Sequence, residues 1–316
     1  MLKLIYITIF LLSLSVGSEE TICKNEVCKV IVISDLNQSY GSTKYSKEVS
    51  LAVKKIIKIS PDIVLTTGDH VAGQKRGLDY ESMWDSFHKV VTIPLINNNI
   101  PLAVTPGNHD ASAYSGFRVE REIYKKQWKN KFKAKLNYID NENYPLQYSF
   151  YLDNILFISI DATTLSLSSL TKSWLQNTLE KYSSLFSYTV IFGHVPLYPF
   201  AEKVKNQALM DKDLEQLVQK YNVDLWISGH HHAYYPGRKD NTRFVSTSCL
   251  GSGARRLISR SHSSLSKKSF LYLEFYNSDL IRLDAFQAPK FDKIIRRVDL
   301  PEFIGENDNK IFRDDL

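Results

Sequence analysis

The chain has 316 residues, of which 43% are hydrophobic, 23% charged and 12% aromatic, so it can bury a sizeable core as one large domain or two small ones. Its 13 Gly, 10 Pro and 3 Cys exclude a collagen-like chain, a low-complexity disordered chain and a disulfide-rich scaffold. The formal charge of +6 favours anionic substrates or surfaces, but no nucleic-acid-binding module is evident in the sequence.

Residues 1–17 have the order of a secretory signal peptide. Lys3 precedes an uncharged run at residues 4–16, and small residues follow at Gly17 and Ser18. The run is shorter than the roughly 20 residues that a membrane-spanning helix needs. We therefore expect cleavage near Gly17 and an exported protein, secreted or periplasmic, with no transmembrane span after cleavage. An uncleaved N-terminal anchor helix is the alternative.

Two cysteines follow the expected cleavage site. Cys23 and Cys28 have no histidine nearby that would complete a zinc site. Outside the reducing cytosol they would form a small local disulfide, and two free thiols are the alternative. Cys249 is left without a partner in the sequence.

Beyond the leader, short β-branched runs alternate with segments of helical period. Helices are predicted at residues 49–59, 80–96, 118–132, 170–182 and 208–221. Strands are predicted at residues 30–34, 62–67, 102–105, 147–152, 155–160, 189–192, 224–227, 243–247, 270–275 and 280–286. This alternation indicates a layered α/β domain, which we place at residues 18–288. The polar residues 289–316 are expected to form a C-terminal extension that runs along the surface or frays.

Five loops with metal-binding residue types come directly after predicted strands. They are Ser34-Asp35-Leu36-Asn37, Gly68-Asp69-His70, Gly107-Asn108-His109-Asp110, Gly193-His194 and Gly229-His230-His231-His232. Loops at the carboxyl ends of strands converge on one edge of an α/β sheet, so we expect these side chains to meet. Four of the loops have a glycine before the polar residue, which lets the backbone turn sharply next to a bound ion.

The residue types in these loops favour particular ions and one class of chemistry. Asp, Asn and His without thiolates suit Zn, Mn or Fe. A carboxylate shared by two ions would let a bridging water lose its proton near neutral pH. Two ions about 3.5–4 Å apart can then support an in-line displacement at phosphorus, without a covalent enzyme intermediate.

The five segments, in this order, resemble the calcineurin-like metallophosphoesterases, a family that includes purple acid phosphatases and many bacterial phosphodiesterases. The resemblance covers residues 29–286. It implies an α/β fold in the form of a four-layer α/β/β/α sandwich of two packed mixed β-sheets. The implied dimetal site lies at the strand C-terminal edge. It also implies hydrolysis of phosphate mono- or diesters by attack of a hydroxide that bridges the two metal ions.

The resemblance also implies a role for each motif residue. Asp35 and His232 correspond to ligands of the first ion, and Asp69 corresponds to the carboxylate that bridges both ions. The ligands implied for the second ion are Asn108, His194 and His230.

His109 corresponds to a catalytic position of the family, and Asp110 follows it directly. His109 matches the histidine that faces the phosphate, stabilises its developing charge and protonates the leaving oxygen. Asp110 is expected to orient that imidazole, since a carboxylate partner fixes a histidine tautomer.

Two positions depart from the family pattern. Asn37 stands where the family usually has a histidine ligand of the first ion. Its amide oxygen is a neutral and weaker donor than imidazole, so either Asn37 binds the ion loosely or a water takes its place. Ala72 stands where purple acid phosphatases have their iron-binding tyrosine, so we expect no tyrosinate-bound iron site.

Three other features near the motifs have two interpretations each. His70 either lies near the substrate or caps its loop by hydrogen bonding. His231 either contacts metal or, as we expect if the segment is extended, points away from its two neighbours. The loop at residues 251–256 contains Arg255 and Arg256, and it either holds a phosphate oxygen or forms an exposed turn.

The sequence leaves one competing function open. A metallophosphoesterase fold that lost turnover would act as a binding protein, with Asn37 as the first sign of decay, although every other motif position is intact. A metalloprotease is excluded because the sequence has no H-E-x-x-H segment. The expected partner is a small-molecule or macromolecular phosphate ester, and the sequence predicts no oligomeric state.

Overall fold

The computed structural model of the protein describes residues 23–251, 253–259, 265–276, 279–306 and 309–316. The predicted signal segment 1–17 lies outside these described residues. Within the described ranges, no helix is both long enough and apolar enough to span a bilayer.

Helices and strands alternate from Val27 onward, as the sequence predicts. The strands are β1 (Val27–Ile33), β2 (Ile63–Thr66), β3 (Leu102–Ala103), β4 (Asn137–Asp140), β5 (Tyr148–Leu152), β6 (Ile155–Ser159), β7 (Tyr188–Gly193), β8 (Leu225–Ser228), β9 (Tyr235–Lys239), β10 (Thr242–Ser246), β11 (Ser269–Tyr276), β12 (Asp279–Gln287), β13 (Lys293–Ile294), β14 (Phe303–Ile304) and β15 (Ile311–Arg313). The helices are α1 (Lys47–Ile59), α2 (Tyr80–Phe87), α3 (Ile93–Ile96), α4 (Asn108–Ala111), α5 (Arg118–Lys126), α6 (Ser169–Tyr182) and α7 (Lys212–Lys220).

These strands form two mixed sheets. The first sheet has the order β13-β12-β11-β1-β2-β3, in which β1, β2 and β3 are parallel and β11 is antiparallel to β1. The second sheet has the order β14-β15-β9-β10-β8-β7-β6-β5-β4, in which β6, β7, β8 and β10 are parallel. The parallel strands of each sheet therefore end in loops at a common edge.

The side chains of the second sheet show that the two sheets pack face to face. In β7, Val190 and Phe192 belong to the core shared with the first sheet. Ile191 points to the other face, where it joins a second core with Leu175 of α6 and Val218 of α7. Since successive side chains of a strand alternate between faces, the second sheet lies between the first sheet and a helix layer. The predicted sandwich of two packed mixed sheets with flanking helices is confirmed.

Helix α1 connects β1 to β2 and sets their direction. Its apolar residues recur at helical spacing, and Val49, Ala52, Val53 and Ile56 are buried. The helix ends at Ser60, whose left-handed backbone lets its N–H bond two carbonyls of the last turn. Because β2 then runs parallel to β1, the loops that follow both strands leave the sheet at the same edge.

Two predicted helices are interrupted and one begins later than predicted. Short π-helical turns at His88–Thr92 and Gln127–Lys131 break the predicted helices 80–96 and 118–132. Helix α7 begins at Lys212 instead of residue 208 because the carboxylate of Asp211 caps it. That side chain accepts hydrogen bonds from the N–H groups of the first turn, which fixes the start of the helix.

Residues 289–316 contribute strands to both sheets, whereas the sequence predicts a surface extension. Strand β13 pairs with β12 in the first sheet. Strand β15 pairs with β9, and β14 pairs with β15, so together they extend the second sheet. The side chains of Ile304 and Ile311 are buried in the second core. These strands span two or three residues each, which is too short for a periodic signal in the sequence.

The cysteines near the N-terminus are bonded to each other. Cys23 and Cys28 form a disulfide, which was one of the two alternatives for this pair. Cys249 is a free and buried cysteine.

Candidate metal centre

The five motif loops meet at the edge where the parallel strands end. The N–H of Asp35 donates to the carbonyl of Gly68 at 3.1 Å, which joins the loops after β1 and β2. The N–H of Gly251 donates to the carbonyl of Asp35 at 2.8 Å, which joins the loop after β10. The N–H of Gly229 donates to the carbonyl of His194 at 3.0 Å, which joins the loops after β7 and β8. The predicted convergence of these loops is therefore present.

The backbone is unusually constrained at four of the predicted ligands. Asp35, Asp69, His230 and His232 have φ angles of 49°, 56°, 63° and 52°. Left-handed backbone costs an L-residue roughly 1–2 kcal/mol, and such strain concentrates at functional sites. Four of the predicted ligands therefore share a strained backbone conformation in the motif loops.

The loops after β2 and β3 approach each other too closely for any side chain at Gly107. A Cβ there would lie 2.1 Å from the backbone nitrogen of Asp69 and 2.2 Å from its Oδ1 atom. Glycine at this position therefore lets the Asn108 loop reach the carboxylate of Asp69.

Asp35 and His232 form the first half of the site. Oδ2 of Asp35 accepts hydrogen bonds from the Ser34 hydroxyl at 2.6 Å and from the N–H of His230 at 3.1 Å. Among the described residues, its buried Oδ1 makes no hydrogen bond, and it lies 3.0 Å from Nε2 of His232. Nδ1 of His232 donates to the carbonyl of Gly253 at 3.1 Å, so a neutral ring turns the lone pair of Nε2 toward Asp35.

The pKa shifts of this pair show that the site attracts positive charge. Burial by itself would raise the pKa of Asp35, but the neighbouring imidazoles hold it well below its usual range. Burial would lower the pKa of His232, but the Asp35 carboxylate raises it well above its usual value. In the metal-free chain a proton between Nε2 and Oδ1 meets this charge balance, and a metal cation bound to the neutral ring would replace that proton.

Asp69 and His194 form the second half of the site. Oδ1 of Asp69 lies 3.3 Å from Nε2 of His194 and accepts a hydrogen bond from the N–H of His109 at 2.9 Å. Nδ1 of His194 donates to the carbonyl of Thr67 at 2.7 Å, which leaves the Nε2 lone pair directed into the site. Nε2 also lies 2.9 Å from Oδ1 of Asn108, a second acceptor. Acceptor atoms thus face one another here as they do at Asp35.

Asp69 connects the two halves of the site. Ligand atoms of Asp35, Asp69 and His232 all lie within 4.8 Å of one another, and the carboxylate of Asp69 also lies 3.3 Å from Nε2 of His194. Two carboxylates, imidazole nitrogens and an amide oxygen form a donor set suited to borderline or hard divalent cations. The residues present therefore fit a pair of metal ions that share Asp69.

Asn37 and His230 are at the site with less direct contacts. The Nδ2 group of Asn37 lies 3.4 Å from Oδ2 of Asp69, so its N–H side faces the carboxylate. The ring of His230 lies 5.0 Å from that of His194, and its Nε2 donates to Oε1 of Gln207 at 3.0 Å. Burial and the neighbouring imidazoles lower the pKa of His230 well below its usual value, so the ring is neutral, as a metal ligand must be.

The expectation that Asp110 orients His109 is wrong. Nδ1 of His109 contacts the carbonyl of Gly73 at 3.0 Å, so that carbonyl fixes the ring. The carboxylate of Asp110 instead contacts Nδ1 of His70 at 2.7 Å. Residues adjacent in sequence lie on different sides of the short helix α4, and therefore the two side chains have different neighbours.

His70 and His231, whose roles the sequence leaves open, both have structural roles. His70 is buried, and its Nε2 contacts the hydroxyl of Thr66 at 2.7 Å, which supports the loop-capping alternative. His231 is also buried. Its Nδ1 accepts from the N–H of Phe200 at 2.9 Å, and its Nε2 donates to the carbonyl of Gln207 at 3.0 Å. His231 thus points away from the metal centre, as expected.

The late arginine loop supports one predicted ligand of each half of the site. The guanidinium of Arg255 donates to the carbonyl of His230, and the N–H of Arg255 donates to the carbonyl of His232 at 3.1 Å. Arg256 is exposed, and Ser252 lies outside the described residues. Arg255 therefore holds the backbone of two predicted ligands.

Two hydrogen bonds that support the ligands are not predicted by the sequence. The hydroxyl of Thr67 donates to that of Ser34 at 2.6 Å, and Ser34 donates to Asp35. Oε1 of Gln74 accepts from Nδ2 of Asn108 at 2.7 Å, which turns the amide oxygen of Asn108 toward His194. Ser34 and Thr67 stand beside motif residues, which is a usable signal, but nothing in the sequence points to Gln74.

The fold and this site define the protein as a metallophosphoesterase. The family model for calcineurin-like phosphoesterases matches residues 28–234, more than half of the chain, and the chain belongs to that family. The family implies a dinuclear metal centre and phosphate ester substrates.

Curated relatives of this chain include purple acid phosphatases of Arabidopsis thaliana. Probable purple acid phosphatase 20 is 27% identical over 200 residues, covering 61% of this chain and 44% of the relative. Purple acid phosphatase 15 is 23% identical over 228 residues, covering 65% of this chain and 40% of the relative. The chain therefore spans less than half the length of these relatives.

Solved structures share the fold at low sequence identity. The purple acid phosphatase PPD1 from yellow lupin superposes with a TM-score of 0.63 at 19% identity, covering 87% of this chain and 53% of that one. A dimetal phosphatase from Danio rerio gives a TM-score of 0.56 at 14% identity, covering 82% and 95% of the two chains. GAP50, the anchor in the inner membrane complex of Plasmodium, gives 0.58 at 13% identity, covering 83% and 84%.

Proposed function

We propose that this chain is an exported hydrolase of phosphate mono- or diesters that depends on two metal ions. The observation that carries the proposal is the buried carboxylate of Asp35, whose Oδ1 has no hydrogen bond among the described residues, beside Asp69 and His232. Zn, Mn and Fe all suit the donor set. When bound, the two ions supply a water-derived nucleophile at neutral pH and Lewis-acid stabilisation of the phosphoryl oxygens.

We assign the ligands to two positions that share Asp69. The first position takes Asp35, His232 and, as a weak neutral donor, Asn37. The ligands assigned to the second position are Asn108, His194 and His230. Their contacts support this division, since Asp69 lies close to both His232 and His194.

We assign His109 as the general acid that protonates the leaving oxygen. Because Nδ1 donates to the carbonyl of Gly73, Nε2 is the nitrogen that faces the centre, 3.9 Å from Oδ2 of Asp69. The side chain is 23% exposed, so a bound substrate can reach it. A proton held at Nε2 would pass to the leaving oxygen as the phosphorus–oxygen bond breaks.

Two features support export. Residues 1–17 have the order of a signal peptide, and Cys23 forms a disulfide with Cys28. Disulfides persist mainly in oxidising compartments, so both features agree with a secreted or periplasmic protein.

The test is to remove metal from the purified protein and titrate it with Mn, Zn or Fe. Hydrolysis of an aryl phosphate and of an aryl phosphodiester is followed at each step, and the bound metal is measured by elemental analysis. We expect two ions per chain, restored turnover of at least one ester, and loss of metal in Asp69→Asn. Asp161→Asn is the matched control, since Asp161 pairs with Arg121 instead of the ligands.

Failure of every metal to restore hydrolysis of either ester, together with unchanged metal content in Asp69→Asn, would refute the proposal. A catalytically impaired binding protein is the second candidate. The orientation of Asn37 favours it, because the N–H side of the amide faces Asp69. One ion per chain, or none, in a protein that still binds phosphate esters would support that candidate.

A further inference from the structure

An exposed tyrosine lies against the proposed proton donor. The ring centroid of Tyr40 is 5.3 Å from that of His109, with an angle of 50° between the ring planes. Tyr40 is 56% exposed, although large aromatic side chains usually bury their apolar faces. Among the described residues, its hydroxyl makes no hydrogen bond. The Tyr40 ring therefore lies against His109 in a tilted arrangement, and much of the ring remains open to solvent.

The turn that carries Tyr40 is anchored to the site. The N–H of Gly41 donates to the carbonyl of Ala72 at 3.0 Å, next to the Gly73 carbonyl that fixes His109. Gly41 has a φ of 76°, and a Cβ there would lie 3.0 Å from the side chain of Leu78. The same loop that orients His109 therefore also holds the backbone beside Tyr40.

The position of Tyr40 beside His109 determines which side chain the leaving group contacts. A proton on Nε2 of His109 reaches the leaving oxygen only if that oxygen lies beside the imidazole. The remainder of the leaving group must then extend from His109 toward solvent, and Tyr40 flanks the imidazole there. Aromatic rings pair favourably at centroid separations of about 4.5–7 Å, so the open Tyr40 ring suits a planar ring better than a saturated one.

We propose that Tyr40 forms the leaving-group subsite and that this chain favours phosphate esters whose leaving group carries a planar aromatic ring. The inference rests on the proposed phosphoesterase function and names its substrate class. Tyr40 acts by binding the leaving group, while the proton transfer belongs to His109.

Benzyl phosphate and cyclohexylmethyl phosphate are the matched probes. Both release a primary alcohol of similar basicity, so the chemical step is alike, and the esters differ in the planarity of one ring. We expect metal-loaded wild-type protein to favour benzyl phosphate in kcat/KM. In Tyr40→Leu we expect that preference to fall about three- to tenfold, mainly through KM, because ring contact is made before as well as during reaction. Tyr40→Phe should keep the preference, since it keeps the ring.

Tyr276→Leu is the matched control. Tyr276 is 40% exposed, but it pairs with Val27 at the start of β1, whereas the site lies beyond the end of β1. An unchanged benzyl preference in Tyr40→Leu would overturn the inference while leaving the proposed function intact. A different result would refute the proposed function and this subsite with it. In that case metal-loaded wild-type protein would hydrolyse neither benzyl phosphate nor cyclohexylmethyl phosphate, and it would also fail to hydrolyse the aryl phosphate and the aryl phosphodiester.

Discussion

Oδ2 of Asp110 lies 2.7 Å from Nδ1 of His70, and both side chains are fully buried. The same carboxylate accepts hydrogen bonds from the N–H of Val71 at 2.9 Å and from the N–H of Gly107 at 3.1 Å. Burial by itself would raise the pKa of Asp110, but the imidazole of His70 and the backbone donors lower it. One buried carboxylate thus ties together the two loops that carry Asp69 and the Asn108–His109 pair.

Replacing Asp110 with Asn should destabilise the protein and loosen the metal centre. The amide removes the charge that pairs with His70 and places an N–H group where an acceptor is needed. We expect the free energy of unfolding, measured by urea denaturation, to fall by about 2–3 kcal/mol, because buried hydrogen-bond donors lose a charged acceptor. Asp161→Asn, which alters a partly exposed ion pair, should cost about 1 kcal/mol or less. Equal stabilities of the two variants would contradict this role of Asp110.

Asn37→His should strengthen the first metal position. An imidazole there would add a borderline ligand that zinc prefers over an amide oxygen. We expect tighter zinc binding in competition with a chelator and a shift in preference from Mn toward Zn. Asn37→Ala is the paired variant, and it should weaken the first ion if the amide oxygen binds it. Unchanged affinity and selectivity in both variants would show that residue 37 does not bind metal.

Gln74→Leu should weaken the second metal position without touching a ligand. Oε1 of Gln74 accepts from Nδ2 of Asn108, and this contact turns the Asn108 oxygen toward His194. Groups that orient metal ligands typically contribute about 10- to 100-fold to metal affinity or activity. We expect about a tenfold weaker second ion by calorimetric titration, with two ions still bound at high metal concentration. Lys75→Ala, which changes the neighbouring exposed residue, is the control. This variant should bind metal as the wild type does.

His88 should make stability depend on pH. Its ring is buried, where it contacts the Thr92 hydroxyl at 2.9 Å, and burial lowers the pKa of His88 from 6.5 to about 3. Between these two values the unfolded chain binds a proton that the folded chain does not. The contribution of His88 is therefore fully present above pH 6.5 and is lost as the pH falls toward 3.

The corresponding measurement is urea denaturation of chelator-treated protein at pH 7.5 and pH 5. We expect wild-type protein to lose about 2 kcal/mol more than His88→Gln over this interval, because glutamine does not titrate. Equal losses in both proteins would show that His88 keeps an ordinary pKa in the folded chain.

Strong local patterns made much of the fold predictable. Helix α1 was predicted at residues 49–59 and spans Lys47–Ile59, because its apolar residues recur at helical spacing. Strand β9 was not predicted, because Pro236 and Gly237 both disfavour strands. Pro236 nevertheless pairs with Val245 of β10, so the partner strands override the local preference. The short strands of the C-terminal segment were missed because each has only two or three residues.

The hydrogen-bond partners of the candidate site residues could not be predicted from the sequence. His70 and Asp110 stand forty residues apart, and nothing local indicates that they meet. Asp110 was expected to contact His109 because the two are adjacent in sequence. Gln74 lies in a loop without any motif, so its contact with Asn108 becomes visible only after the chain folds.

The sequence by itself determined which donor atoms this protein has and that each group follows a strand. Parallel strands end at one edge, so that order was enough to bring the groups together. Only the tertiary structure decided which nitrogen of each imidazole faces the centre. The carbonyls of Thr67, Gly73 and Gly253 accept the Nδ1 protons of His194, His109 and His232. These carbonyls belong to loops separate in sequence from the histidines, and their positions follow from packing instead of any local pattern.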